Sequence, residues 1–143
     1  MNIPRLTRLA EILENFESER HNLVQDVDSF DLKYWLHVNS GCTVCAGGMA
    51  MLHPEFIAEG LGTISGNNNA GLSPKYDEMV CFDAMARFFE LGYSEARYIF
   101  DSNAYNLVEW QEPTFVSQRI RAFIAAGEIP AYWGTTGSTS LPM

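Results

Sequence analysis

Basic side chains are scarce in this sequence. Nine Lys and Arg stand against 18 Asp and Glu, a formal net charge of −9. Proteins that wrap nucleic acid neutralise phosphates with clustered Lys and Arg, so that class is excluded as a direct binder. The same deficit argues against an anionic membrane surface. Long apolar runs are missing too, and no stretch reaches the ~20 residues a helical membrane span needs. Arg5 and Arg8 are followed by alternating charge and not by an apolar run, so no signal peptide is read at the start. Three cysteines are an odd number, which excludes a complete disulfide framework and suits free thiols in a reducing cytoplasm. There is no GxxxxGK[ST], no HExxH and no GxSxG. His21, His37 and His53 are scattered, and none joins a Ser or Cys in a nucleophile motif. No catalytic constellation is legible, and the reading is non-enzymatic.

What is present suits one globular domain. The chain has 143 residues, 47% of them apolar, with nine Phe, six Tyr and three Trp. That is enough to bury a core without a metal or a disulfide. The expected domain covers residues 1–133, with Tyr132 and Trp133 docking and a flexible tail over 134–143.

Helix signals dominate. Asn2 and Pro4 open a helix whose Leu6, Leu9, Leu13 and Phe16 recur at spacings of three and four, running to about residue 19. Asp31 stands near the start of a short helix carrying Leu32, Trp35 and Leu36, with Trp35 a core anchor. Ser40 caps a helix over 41–52, stopped by Pro54. A short helix over 54–59 follows, closed by Gly60. Residues 61–73 hold the one hairpin candidate, around "SGNNNAG". Further helices are expected over 77–91, with Gly92 as the stop, from Ser94 onward, and over 113–126, with Gly127 as the stop. Tyr98, Tyr105 and Trp110 are expected to close the core as a second aromatic cluster. The predicted fold is mainly α: a compact bundle of five to seven helices with at most a small β-hairpin near residues 61–73.

Two features stand out as candidate sites. From residue 11 to 31 seven acids (Glu11, Glu14, Glu17, Glu19, Asp26, Asp28 and Asp31) face one base, Arg20. Such a run is usually a solvated face, but it also fits a docking surface for a basic partner. Glu11, Glu14, Glu17, Asp26 and Asp28, with the Asn67, Asn68 and Asn69 loop, are the partner-binding candidates. The second feature is "GCTVCAGGMAM". Cys42 and Cys45 have the C-x-x-C spacing of a zinc pair, and Cys81 and His53 are candidate further ligands. The same pair fits a thiol centre, Cys42 being activated if it opens a helix. The structural alternative is a helix of small residues against which a neighbouring helix lies close.

"FDLKYWLH", "CTVCAGGMAM", "PEFIAEGL", "FFELGYSEARYIFD" and "VSQRIRAFIA" follow one another over residues 3–126. In that order they resemble a group of small bacterial and phage proteins in which an FDxxxW segment precedes a Cys/Gly-rich helix. Here Gly41 precedes the first cysteine, and Met49 stands where the group has Trp. The resemblance implies a fold and a bacterial or phage origin, and no reaction. The expected function is that of a small acidic accessory or inhibitor protein that binds a host or phage protein in the cytoplasm. A metal- or thiol-dependent protein using Cys42 and Cys45 is the alternative, with zinc as its cofactor. A nucleic-acid mimic, its acids imitating phosphates, is a further one.

Overall fold

A computed structural model describes residues 1–38, 41–65 and 71–131 of the chain. The first helix, α1 (Ile3–Glu14), forms as its sequence dictates. Asn2 Oδ1 accepts the Arg5 N–H at 3.0 Å, Pro4 sits in the first turn, and Leu6, Leu9, Ala10, Ile12 and Leu13 are fully buried. It does not reach residue 19 unbroken. Asn15 Nδ2 donates to the Glu11 carbonyl at 2.9 Å and ends the helix, which restarts as α2 (Phe16–Glu19). A short amide side chain competing for backbone groups is the local cause.

The next segment departs from the expectation. Residues 31–36 do not form a helix. Asp31 Oδ1 accepts the Lys33 N–H at 2.9 Å in a turn, flanked by β1 (Ser29–Phe30) and β2 (Leu36–Val38). The expected helix over 41–52 is instead β3 (Cys42–Val44) followed by α3 (Ala46–Leu52), and its expected cap Ser40 lies outside the described residues. β3 is the centre of a three-stranded sheet, parallel to β1 through Ser29↔Thr43 and Phe30↔Val44 and antiparallel to β2 through Leu36↔Val44. Thr43 and Val44 are β-branched and favour a pleated surface once partners flank them on both sides.

α4 (Pro54–Ile57) follows, and then a second sheet of β4 (Gly62–Ser65), β5 (Leu72–Tyr76) and β6 (Met79–Val80), all antiparallel. The hairpin expected near 61–73 is therefore longer and carries a third strand. That strand shortens the helix expected over 77–91. Asp77 takes φ +54° in the tight β5–β6 turn, and α5 (Cys81–Phe89) begins only at Cys81. It ends at Glu90, with φ +57°, not at Gly92. α6 (Tyr93–Phe100) starts before Ser94 because Glu95 Oε1 accepts the Gly92 N–H at 2.8 Å and fixes the cap there. Two 3₁₀ turns, Ser102–Ala104 and Leu107–Glu109, lead to α7 (Pro113–Ala126), capped by Gly127 as expected.

The described residues thus form a mixed α/β fold of seven α-helices and two three-stranded sheets, not a mainly α bundle. α1 packs along α7, and α5 covers the second sheet. Phe56, Phe88, Phe89 and Phe100 meet at the centre with ring centroids 5.0–5.8 Å apart, three of the four contacts edge to face. The N-terminus of α1 is tied to the end of α5. Asn2 N donates to the Phe89 carbonyl at 2.8 Å and Arg5 to the Phe88 carbonyl at 2.7 Å. These are C-terminal carbonyls of α5 that lack an intrahelical partner. The expected aromatic cluster is organised by a cation. The Arg119 guanidinium lies 4.2 Å from the Tyr98 ring and 3.8 Å from the Tyr105 ring, and donates to the carbonyls of Tyr98 and Ala104.

Candidate functional site

The Cys/Gly segment is built for close packing, though not helix on helix. A methyl group at Gly47 would overlap the Trp35 ring, and one at Gly48 would overlap the Trp35 carbonyl. Gly in a helix interior costs about 1 kcal/mol of propensity. Here it lets the β1–β2 turn lie directly on α3. Trp35 is half-buried and packs 5.1 Å from Phe82.

The four candidate metal ligands are dispersed over different environments. Cys42 is on β3, Cys45 precedes α3, and Cys81 opens α5 at φ +55°. His53 is buried. Its Nε2 lies 3.0 Å from Glu19 Oε1, and its Nδ1 accepts the Glu55 N–H at the start of α4. Among the described residues no group of three or more His, Cys, Asp or Glu side chains is placed to hold a metal ion. Nor does Cys42 occupy the activating helix N-terminus expected of it. Burial pushes its thiol up, and the Asp28 carboxylate adds to this, while Gln25 offsets part of it. Burial pushes the Cys45 thiol up to about 12. Both shifts disfavour the thiolate, the form that attacks and ligates.

The acidic candidates fare differently, because the tertiary fold sorts them. Glu11 belongs to a paired cluster with Arg8, which also binds Glu55 through two hydrogen bonds of 2.7 and 2.9 Å. Asp26 is exposed beside His21. Glu19 is withdrawn from the surface to meet His53. Asn67, Asn68 and Asn69 lie outside the described residues. Glu14, Glu17 and Asp28 line two neighbouring depressions.

The first depression, about 530 Å³, lies between the α1–α2 break and the entry to α7, with Glu14, Glu17 and Glu112 on its walls. The second, about 410 Å³, lies over β1 and β3, with Glu17, Asp28, Asp31 and Tyr34. They share Glu17 and Gln111, so they adjoin as a groove of two parts. Five carboxylates line it, and among the described residues no Lys or Arg does. Bases stand around its edges, with Lys33 Nζ 5.7 Å from the centroid of the Tyr34 ring. Arg20 reaches Glu17 at 3.2 Å, and Arg121 holds Glu14 through bonds of 2.6 and 2.9 Å, keeping its carboxyl below the ordinary range. The backbone fixes the other walls. Asp28 Oδ2 accepts the Cys42 N–H at 2.7 Å, and the Ser29 and Thr43 hydroxyls lie 2.8 Å apart on the groove floor. By contrast, a third depression of about 480 Å³ contains Arg5 and Arg8 already paired with Glu59 and Glu55.

Sequence reasoning had Asp31 in the acidic run but not among the site residues, and it missed Gln111, Glu112 and Tyr34. Nothing local marks Gln111 and Glu112, because only the packing of α7 on α1 brings them to Glu17. Comparison of the chain with family models, with curated proteins and with solved structures returns no match. No described helix is long and apolar enough to cross a membrane.

Proposed function

We propose that this chain is a small, non-enzymatic acidic accessory or inhibitor protein that grips a basic segment of another protein in the groove shared by Glu17 and Gln111. The observation that supports this reading is the lining itself: five carboxylates and, among the described residues, no Lys or Arg lining two adjoining depressions. Such a field attracts Lys and Arg side chains and speeds encounter. A bacterial or phage protein acting in the cytoplasm on a basic partner fits the charge balance.

The test is an amide NMR titration of the full chain with a decalysine peptide at low and at high salt. Shift changes should concentrate at Glu17, Asp28, Asp31, Gln111 and Glu112 and fade with added salt. The double variant Glu17→Lys/Asp28→Lys should weaken binding by roughly tenfold or more. Shift changes centred elsewhere, or unchanged affinity in the variant, would overturn the reading.

A further inference from the structure

Leu107 and Val108 are the most exposed large apolar side chains of the described residues, at 74% and 83%. A single exposed Leu is ordinary, but two adjacent ones on a pinned turn are a shaped feature. The turn Leu107–Glu109 is held at its two ends. Asn106 N donates to Glu109 Oε1 at 3.0 Å, and Trp110 Nε1 donates to the Ser102 carbonyl at 3.0 Å. The Trp110 carbonyl accepts the Leu32 N–H at 2.9 Å. The side chains are therefore presented on an ordered backbone, which lowers the entropy lost when something covers them. The turn also adjoins the groove. Gln111, which lines both depressions, follows Val108 by three residues, no more than about 11 Å of chain.

We infer that Leu107 and Val108 form an apolar anchor beside the acidic groove, and that the partner segment is a basic peptide carrying aliphatic side chains. This rests on the groove reading above. Charge complementarity selects the occupant. The surface next to the turn carries Glu17 and Glu112 and, among the described residues, no Lys or Arg in its lining, so it repels a second copy of a chain of net charge −9 and welcomes a cationic one.

The experiment uses two synthetic peptides of equal length and charge, one alternating Lys and Leu, the other Lys and Ser. Each is titrated calorimetrically into the full chain and into L107S/V108S. The wild type should prefer the Lys–Leu peptide by roughly tenfold. In the variant that preference should collapse to within about twofold, with Lys–Ser affinity unchanged. Equal affinity of the wild type for both peptides overturns the anchor and leaves the groove standing. Lys–Leu binding that survives Glu17→Lys/Asp28→Lys but is lost in L107S/V108S overturns the groove reading and with it the shared surface. Failure of both peptides to bind overturns both readings. Sedimentation covers the remaining occupant: a wild-type dimer abolished by L107S/V108S assigns the pair to self-association and overturns the inference. Circular dichroism of the variant checks that the fold is intact, as the exposure of both side chains leads one to expect.

Discussion

His53 Nε2 lies 3.0 Å from Glu19 Oε1 while His53 Nδ1 accepts the backbone N–H of Glu55. The two contacts assign the ring atoms. Nδ1 accepts and so carries no proton, and Nε2 carries the proton that Glu19 receives. His53 thus caps α4 and at the same time fastens α2 to the α3–α4 junction. Glu17, the residue common to both halves of the groove, is on that same short α2.

Replacing His53 should therefore loosen the groove as well as the core. His53→Ala removes a cap and leaves a buried space, and is expected to cost about 2–3 kcal/mol. Urea unfolding of wild type and variant measures this. Nitrogen-15 spectra of the wild type should show an unprotonated Nδ1 at neutral pH. A protonated Nδ1 there would contradict the tautomer.

Acid should destabilise the fold through Glu19. Burial, the largest single effect, would raise its carboxyl, but the hydrogen bonds from His53 and Asn22 and the neighbouring positive charge together outweigh it, and the net shift is downward from 4.5. A depressed folded value means the stabilisation is present above the unfolded value and lost as pH falls through the folded one. Stability should hold at mildly acidic pH and fall as pH drops below about 4.5. Glu19→Gln should flatten that limb of a pH series of denaturation midpoints. An unchanged slope would remove Glu19 from the account.

Gly48→Ala tests the packing of Trp35 on α3. Helix propensity alone would gain about 1 kcal/mol. The overlap with the Trp35 carbonyl should more than cancel it, for a net loss of about 1–3 kcal/mol. The denaturant midpoint gives the sign directly, and a stabilised variant would refute the close approach.

The thiols should react in an order set by access. Cys81 is half-buried, while Cys42 and Cys45 are buried with thiols pushed up. Alkylation of the native protein at pH 7 should label Cys81 first and the other two only on unfolding, as mass spectrometry of the peptides would show. Elemental analysis belongs with it. One zinc per chain would restore the ligand set of Cys42, Cys45, Cys81 and His53.

Part of this protein was legible from the chain alone. The signals for α1 and α7 lie within their own residues: Asn2 and Pro4 before an apolar stripe, Pro113 before another, Gly127 after it. The 77–91 segment shows how such signals go astray. Its apolar spacing is real over α5, but Met79 and Val80 find strand partners in Lys75 and Tyr76 and leave the helix. The same competition governs 42–45. Read locally, "CTVCAGG" is a run of small residues compatible with a helix. In the fold, β1 and β2 flank it and draw Cys42–Val44 into a sheet.

The acidic surface divides along the same line. Sequence by itself determined the excess of carboxylates between residues 11 and 31, because charge is a property of side chains and needs no partner. Tertiary structure decided which of them act together. It drew Glu19 against His53, paired Glu11 with Arg8, and left Glu17, Asp28 and Asp31 lining the same two depressions as Gln111 and Glu112. The physical reason is range. Caps and helical stripes are settled within a turn or two of backbone, whereas strand pairing and a shared groove depend on residues that meet only after the chain has folded back on itself.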